Sequence, residues 1–196
     1  MKTILLAVLS SWAISHAGLA QTLAALPSPP VAAPAAKAPA PAADEFHQLL
    51  ARASGTWTGQ ATMTFSPTAS PLTSTSSLTN RMVMGDLFQL SEVVYNINGQ
   101  QIRGVRVTGY DAKKKIFTRA MIQDGGNGVA MEGPYDPATK STTMRYQQRN
   151  GAGQYTDMKE VYTFVDENTE LLEIYRLDAK TNQEFKILNV KWTRNR

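Results

Sequence analysis

The fold is decided by residues 55–65, which read Gly-Thr-Trp-Thr-Gly-Gln-Ala-Thr-Met-Thr-Phe. Every second position carries an apolar or small residue: Trp57, Gly59, Ala61, Met63 and Phe65. The positions between them are all Thr or Gln, so the pattern has the period of two of a half-buried β-strand. This stretch therefore predicts a strand with one face against a core and one face in water.

Similar segments follow, separated by short stretches rich in Gly, Asn and Asp, the residues that favour tight turns. The segments that we predict as strands are 75–84, 87–97, 100–110, 115–123, 128–135, 141–149, 155–165, 170–178 and 183–194. Because short connections can join only antiparallel neighbours, the chain should form a meander. Closure of so long a meander removes its exposed edges, which predicts an all-β, antiparallel up-and-down barrel of about ten strands. A two-sheet sandwich is the alternative, and it would need longer crossing connections.

One short helix is predicted ahead of the strands, over Asp44–Ala53. Its apolar residues share one helical stripe: Phe46, Leu49, Leu50 and Ala53. Asp44 can cap the helix start, and Gly55 stands where helices commonly stop. His47 lies off the apolar stripe, so we expect it to be solvated.

The first 20 residues have the pattern of a secretory signal peptide. Lys2 precedes an apolar run over residues 3–14, and small residues lead up to Ala20. The run is too short to favour a retained anchor helix. Residues 21–43 are rich in Ala and Pro and predict an exposed linker, which leaves 44–196 as the folded domain. We therefore expect an exported protein, periplasmic or secreted, without a membrane span after signal cleavage.

Composition excludes several kinds of site. The chain has no cysteine, so disulfides, thiolate metal sites and cysteine nucleophiles are excluded. It has only two histidines, His16 and His47, and the first lies in the expected signal peptide. A metal centre or a Ser-His-Asp triad is therefore hard to build. The net charge of +4 is mild and is not concentrated as in nucleic-acid-binding proteins, so we expect no nucleic-acid partner. The oligomeric state stays open.

The chain resembles the lipocalin-like, or calycin, barrels. Gly55-Thr56-Trp57 opens the first strand after a short helix, and the last strand ends in Trp192-Thr193-Arg194. The resemblance implies that a basic residue of the last strand lies over the first-strand tryptophan, where an indole face can hold a guanidinium. Arg194 over Trp57 is the expected pair, with Lys191 as the alternative cation.

A closer resemblance is to a bacterial group of this class, the "domain of unknown function 1579" family. The matching pieces include Gly109-Tyr110-Asp111, Glu132-Gly133-x-Tyr135-Asp136 and the terminal Trp192-x-Arg194, together with Arg81 ahead of the Met84-Gly85-Asp86 turn. The resemblance implies a fold and no activity. The related nitrobindins bind haem through a histidine late in the chain, which this sequence lacks, so we expect no cofactor and no metal.

Charged residues inside predicted strands are the candidates for chemistry. Arg103, Arg106, Arg119 and Arg145 lie in strands, and of the first two we favour Arg106 as inward-pointing. An inward arginine could hold an anionic head group, with tyrosines as helpers, whereas the alternative is an arginine on the outer wall. The carboxylates of Glu132, Asp136, Glu160, Glu173 and Glu184 are expected on solvated faces and turns. No catalytic residue is assigned.

The function that fits best is a non-enzymatic barrel that binds a small, mostly apolar or amphipathic molecule. The candidate ligand-binding residues are Trp57, Met63, Phe65, Arg106, Tyr110 and Tyr162. A structural or protein-interaction module of the cell envelope is one alternative. The other is a hydrolase or isomerase that uses carboxylate, Tyr and Arg groups, and it predicts a carboxylate with a strongly shifted pKa in a cleft.

Overall fold

The structure is a computed structural model that describes residues 44–97, 99–124, 128–149, 153–178, 181 and 183–196. The expected signal peptide (1–20) and linker (21–43) lie outside the described residues. One helix and eleven strands are described, in the order α1 (Glu45–Arg52), β1 (Gly55–Met63), β2 (Leu72–Val83), β3 (Phe88–Ile97), β4 (Gln100–Asp111), β5 (Ile116–Gln123), β6 (Gly128–Gly133), β7 (Tyr135–Asp136), β8 (Ser141–Arg149), β9 (Tyr155–Phe164), β10 (Thr169–Leu177) and β11 (Glu184–Arg194).

The strands form a closed antiparallel barrel, as predicted. Each long strand pairs with its neighbour in the sequence, and β1 also pairs with β11, with Trp57 opposite Arg194. The ring closes between β6 and β8, where Glu132 pairs with Arg145. The barrel has ten main strands, because β7 is only a two-residue addition alongside β8.

The predicted strand 128–135 is interrupted at Pro134, which is the main departure from the expected boundaries. A proline has no backbone N–H, so it cannot donate to a strand ladder. The backbone of Pro134 only accepts, through its carbonyl oxygen, from the N–H of Thr143 at 3.2 Å. The strand therefore ends at Gly133, and pairing resumes at Tyr135.

Strand β1 has the predicted alternation up to Ala61, but it ends at Met63, and Phe65, which was predicted on the buried face, is 64% exposed. Trp57, Gly59 and Ala61 are buried and the residues between them are exposed. A Cβ atom at Gly59 would lie 2.6 Å from the ring of Trp192, so the indole of the last strand occupies the space that a side chain would need. Trp57, Ala61 and Trp192 belong to an inner core that also includes Leu78, Val93, Leu172 and Val190.

Helix α1 covers one end of the barrel. Its side chains pack with a second core cluster that includes Phe117, Met131 and Met144. Asp44 caps the helix, since its side chain accepts from the N–H groups of Phe46 and His47. The expectation of a solvated His47 is wrong: its side chain is buried and forms the other half of the capping box with Asp44. Among the described residues, no helix has the length and apolar character needed to cross a bilayer.

Candidate functional site

A cavity of about 390 Å³ opens at the barrel end opposite helix α1. Its rim comes from the end of β1 and the loop that follows, with Met63 and Phe65, and from Gln123, Gln148 and Arg176. Its wall is apolar and includes Ile97, Ile102, Met121, Met158, Leu172 and Ile174. The volume falls within the usual range of small-molecule sites, and the lining has their usual apolar character.

Two of the most buried lining residues are charged. Arg106 and Glu160 are 3% and 2% exposed, and the aromatic side chains of Tyr95 and Tyr146 line the cavity with them. The cavity thus combines an apolar wall with a charged inner end. This arrangement suits a molecule that has an apolar body and one polar group.

Two arginines point into the barrel, and they have different surroundings. Arg119 forms an ion pair with Glu160, and its Nε donates to the hydroxyl of Thr108 at 2.9 Å. Nε of Arg106 has no hydrogen-bond partner among the described residues, and no described carboxylate forms an ion pair with Arg106. Arg106 is therefore the inward cation without a direct counter-ion in the described part of the chain.

A carboxyl–phenol pair lies close enough to Arg106 for their charges to interact, but it does not line this cavity. The hydroxyl of Tyr162 donates to the carboxyl group of Glu170, and both residues are buried. Burial raises the pKa of Glu170 to about 7, although the hydrogen bond from Tyr162 and the positive charge of Arg106 oppose the increase. Burial also raises the pKa of Tyr162 well above its usual value, with the charge of Glu170 adding to it.

The candidate ligand-binding residues separate into two groups. Met63, Phe65 and Arg106 line the cavity. Trp57, Tyr110 and Tyr162 lie elsewhere. Tyr110 stacks on Phe46 of α1 with ring centroids 4.1 Å apart, under the helix at the other end of the barrel.

Trp57 also lies at the helix end of the barrel. Its Nε1 donates to the carbonyl of Ala53 at 3.0 Å, and the guanidinium of Arg194 lies 4.2 Å from its ring centroid. The tryptophan is 1% exposed, so it closes the barrel beneath the helix and does not face the cavity.

The other strand arginines and carboxylates follow the alternation of their strands. Arg106 and Arg119 are buried, whereas Arg103 and Arg145 are exposed. The expectation that Glu160 is solvated is wrong, because it is paired inside the barrel with Arg119. Sequence reasoning also missed Glu170. The alternation of apolar residues could have predicted both as inward-pointing. Glu160 lies between Met158 and Tyr162 on one face of β9, and Glu170 shares a face with Leu172.

A second cavity, of about 640 Å³, lies between helix α1 and the turn after β9. Its lining includes the charged residues Arg52, Lys140, Asp166, Glu167, Glu170 and Arg194. Arg194 already donates to the carbonyls of Arg52, Ser54 and Glu167. Within the described ranges, no three His, Asp or Glu side chains come together as a metal-binding group.

Comparison with known proteins gives a fold and a family. No match was found among curated proteins. Among solved structures, the chain is similar to the crystal structure of Rv2717c from M. tuberculosis, with a TM-score of 0.61 and 13% sequence identity over 79% of this chain and 100% of that one. At this identity the likeness concerns the fold alone. A family model described as "Protein of unknown function (DUF1579)" matches residues 42–194, which is most of the chain, and the chain therefore belongs to the DUF1579 family.

Proposed function

We propose that this protein is an exported, non-enzymatic barrel that binds a small, mostly apolar molecule in the cavity opposite helix α1. The observation that carries the proposal is the cavity of about 390 Å³, with apolar walls and a few buried polar groups at its inner end. Sites for small organic ligands have this combination of an apolar lining and few polar groups. Export is supported by the sequence of residues 1–20.

The volume of the cavity favours binding over the alternative of a filled structural barrel. A purely structural interior would be packed to the density of an organic crystal, with few voids larger than a water molecule. Here the lining side chains leave space for several such molecules.

Native mass spectrometry of protein purified from its own periplasm tests both parts of the proposal. We expect a chain mass that corresponds to cleavage near Ala20, and an additional lipid-like mass that is lost on denaturation. The Ile102→Trp variant fills the cavity and should lose the bound mass. The Ile122→Trp variant is the matched control, because Ile122 is 64% exposed and should retain the bound mass.

Three results would count against the proposal. An uncleaved chain would contradict export. A barrel that carries no bound mass, and that also fails to bind an apolar dye such as N-phenylnaphthylamine in solution, would contradict ligand binding. A dye signal of equal size in the two tryptophan variants would mean that the dye binds outside the cavity, and it would contradict the proposed site.

One observation favours a hydrolase or isomerase as the second candidate. Glu170 has a pKa of about 7, faces Tyr162 and lines the second cavity, so it has the protonation behaviour of a general acid or base. This candidate predicts that the protein hydrolyses an ester such as p-nitrophenyl decanoate and that Glu170→Gln abolishes the activity. The binding proposal predicts hydrolysis at the rate of buffer alone for both proteins.

A further inference from the structure

We infer that the molecule held by this barrel is a single-chain amphiphile with one carboxylate, whose carboxylate pairs with Arg106 and whose chain lies along the apolar wall. The inference rests on the proposed binding function, and it assigns a chemical class to the ligand and a role to one residue.

Arg106 is the first support for the inference. It is 3% exposed, it lines the cavity, and its Nε lacks a hydrogen-bond partner among the described residues. A buried guanidinium is unfavourable unless an anion and hydrogen-bond acceptors accompany it. A carboxylate entering the cavity would supply both, because the guanidinium fork matches the two oxygens of that group.

The charges around Arg106 favour a ligand with one negative charge. Glu160 also lies at the inner end of the cavity, and its charge is matched by Arg119 in an ion pair. Glu170 bonds to Tyr162 and does not line the cavity. Arg106 is thus left without an ion pair in the described part of the chain, and Glu160 and Glu170 attract it only at longer range. A phosphate dianion would bring more negative charge into this poorly solvated site than one guanidinium compensates.

Tyrosine hydroxyls can complete the binding of a carboxylate. Tyr95 and Tyr146 line the same cavity as Arg106. Burial raises the pKa of Tyr146, with the charge of Glu160 adding to the effect, so this phenol keeps its proton at neutral pH and can donate. The positive charge of Arg106 would repel an amphiphile with a cationic head group.

The volume sets the length of the chain. A cavity of about 390 Å³ holds on the order of a dozen non-hydrogen atoms at about 30 Å³ each. Decanoate, with ten carbon and two oxygen atoms, is a probe of this size. Decanol, decylamine and decyl phosphate also have ten carbon atoms in one unbranched chain, and they carry a neutral, a cationic and a phosphate head group.

Titration calorimetry of the full chain with these four compounds tests the inference. We expect decanoate to bind at least tenfold more tightly than decanol and decyl phosphate, and decylamine not to bind. Decanol binding as tightly as decanoate, or decyl phosphate binding more tightly, would overturn the inference and leave the proposed function standing. Failure of all four compounds to bind would overturn both.

Two arginine variants on strand β4 test the role of Arg106. Arg106→Met should weaken decanoate binding at least tenfold and leave decanol binding unchanged. Arg103→Met removes the same charge from the exposed face of the same strand and should leave both affinities unchanged. Circular dichroism and thermal melts check that both variants are folded. Equal weakening by the two variants would assign the effect to net charge and would overturn the role of Arg106. If Arg106→Met does not fold, the four-compound titration still decides the ligand class.

Discussion

Arg106 and Arg119 are both buried in the barrel, yet they differ in the groups that compensate their charges. Arg119 is compensated by Glu160 and Thr108, whereas Arg106 has no direct counter-ion among the described residues. Removal of one partner of a buried ion pair leaves an uncompensated charge, which is strongly destabilising. Replacement of an unpaired buried charge by an apolar side chain of similar length removes a desolvation cost instead.

We expect Arg119→Met to lower the free energy of unfolding by about 3–5 kcal/mol, because Glu160 is left buried and unpaired. The Arg106→Met variant should lose less stability, because it breaks no ion pair and the lost attraction to Glu160 and Glu170 is partly offset by the removed desolvation cost. Urea unfolding of ligand-free protein measures both changes. Equal losses in the two variants would show that Arg106 is compensated within the fold.

Glu170 makes stability depend on pH. Its pKa is about 7 in the folded protein and 4.5 in an unperturbed chain, so between these values the folded state binds a proton that the unfolded state has released. The contribution of Glu170 to the free energy of unfolding is therefore highest below pH 4.5 and falls as the pH rises towards about 7. Burial causes the higher pKa, and Tyr162, Arg106, Arg194 and Arg119, on four other strands, oppose it.

At about 1.4 kcal/mol for each pH unit, the fall between the two pKa values amounts to roughly 3 kcal/mol. We expect Glu170→Gln to remove this part of the pH dependence, because the amide still accepts from Tyr162 and carries no charge. Urea unfolding at pH 5 and pH 8 measures this pH dependence of the free energy of unfolding. Glu173→Gln, on the same strand with its carboxylate paired to Lys186 near the surface, is the control and should keep the dependence. Parallel behaviour of the two variants would count against this role for Glu170.

Helix α1 is held to the barrel by side chains that bond to its last carbonyl groups. Gln89 donates to the carbonyl of Leu50 at 2.7 Å, and Asn80 donates to that of Ala53 at 3.0 Å. Arg194 donates to the carbonyls of Arg52 and Ser54. The last carbonyls of a helix have no partner within the helix, so the barrel supplies what the helix lacks. A helix of eight residues is marginal in water without such contacts.

Arg194→Met should loosen this helix. The substitution removes hydrogen bonds from a charged donor and the contact with the Trp57 ring, so we expect a loss of about 2 kcal/mol and faster amide exchange in α1. Hydrogen exchange measures the local effect. Lys191→Met, an exposed change on the same strand, is the control and should leave exchange in α1 unchanged. Faster exchange in the control as well would mean that the basic charge of β11 matters and not the contacts of Arg194.

The barrel as a whole depends on the close approach of β6 and β8. These strands meet through a single residue pair, Glu132 with Arg145, next to the interruption at Pro134. A Cβ atom at Gly133 would lie 1.9 Å from the carbonyl oxygen of Thr143 on β8. Only a glycine allows the two backbones to approach this closely.

Gly133→Ala should therefore force β6 and β8 apart. We expect it to lower the free energy of unfolding by about 1–3 kcal/mol or more, as overpacking does. Gly128→Ala is the control on the same strand. Its Cβ would meet nothing nearer than a carbonyl oxygen at 3.6 Å, and we expect a change within about 0.5 kcal/mol. Chemical denaturation compares the two variants. Similar small changes in the free energy of unfolding of both variants would mean that β6 and β8 can move apart without destabilising the barrel.

The strands, their antiparallel order and the inward face of the first strand could be predicted from the amino-acid sequence alone. These properties are local, because residue alternation and turn chemistry act over a few neighbouring positions. The alternation correctly favoured Arg106 over Arg103 as the inward side chain. The same alternation places Glu160 and Glu170 on the buried faces of their strands. The general rule that carboxylates stay in water hid this signal.

The open end of the barrel and the partners of the inward charges could be found only from the folded arrangement of the strands. Arg119 and Glu160 are 41 positions apart, and they meet because β5 and β9 face each other across the interior. Trp57 and Tyr110 lie on inward or helix-covered positions, yet they are at the closed end. Periodicity tells whether a side chain points inward, but the position along the barrel axis follows from the stagger of all the strands and the docking of the helix.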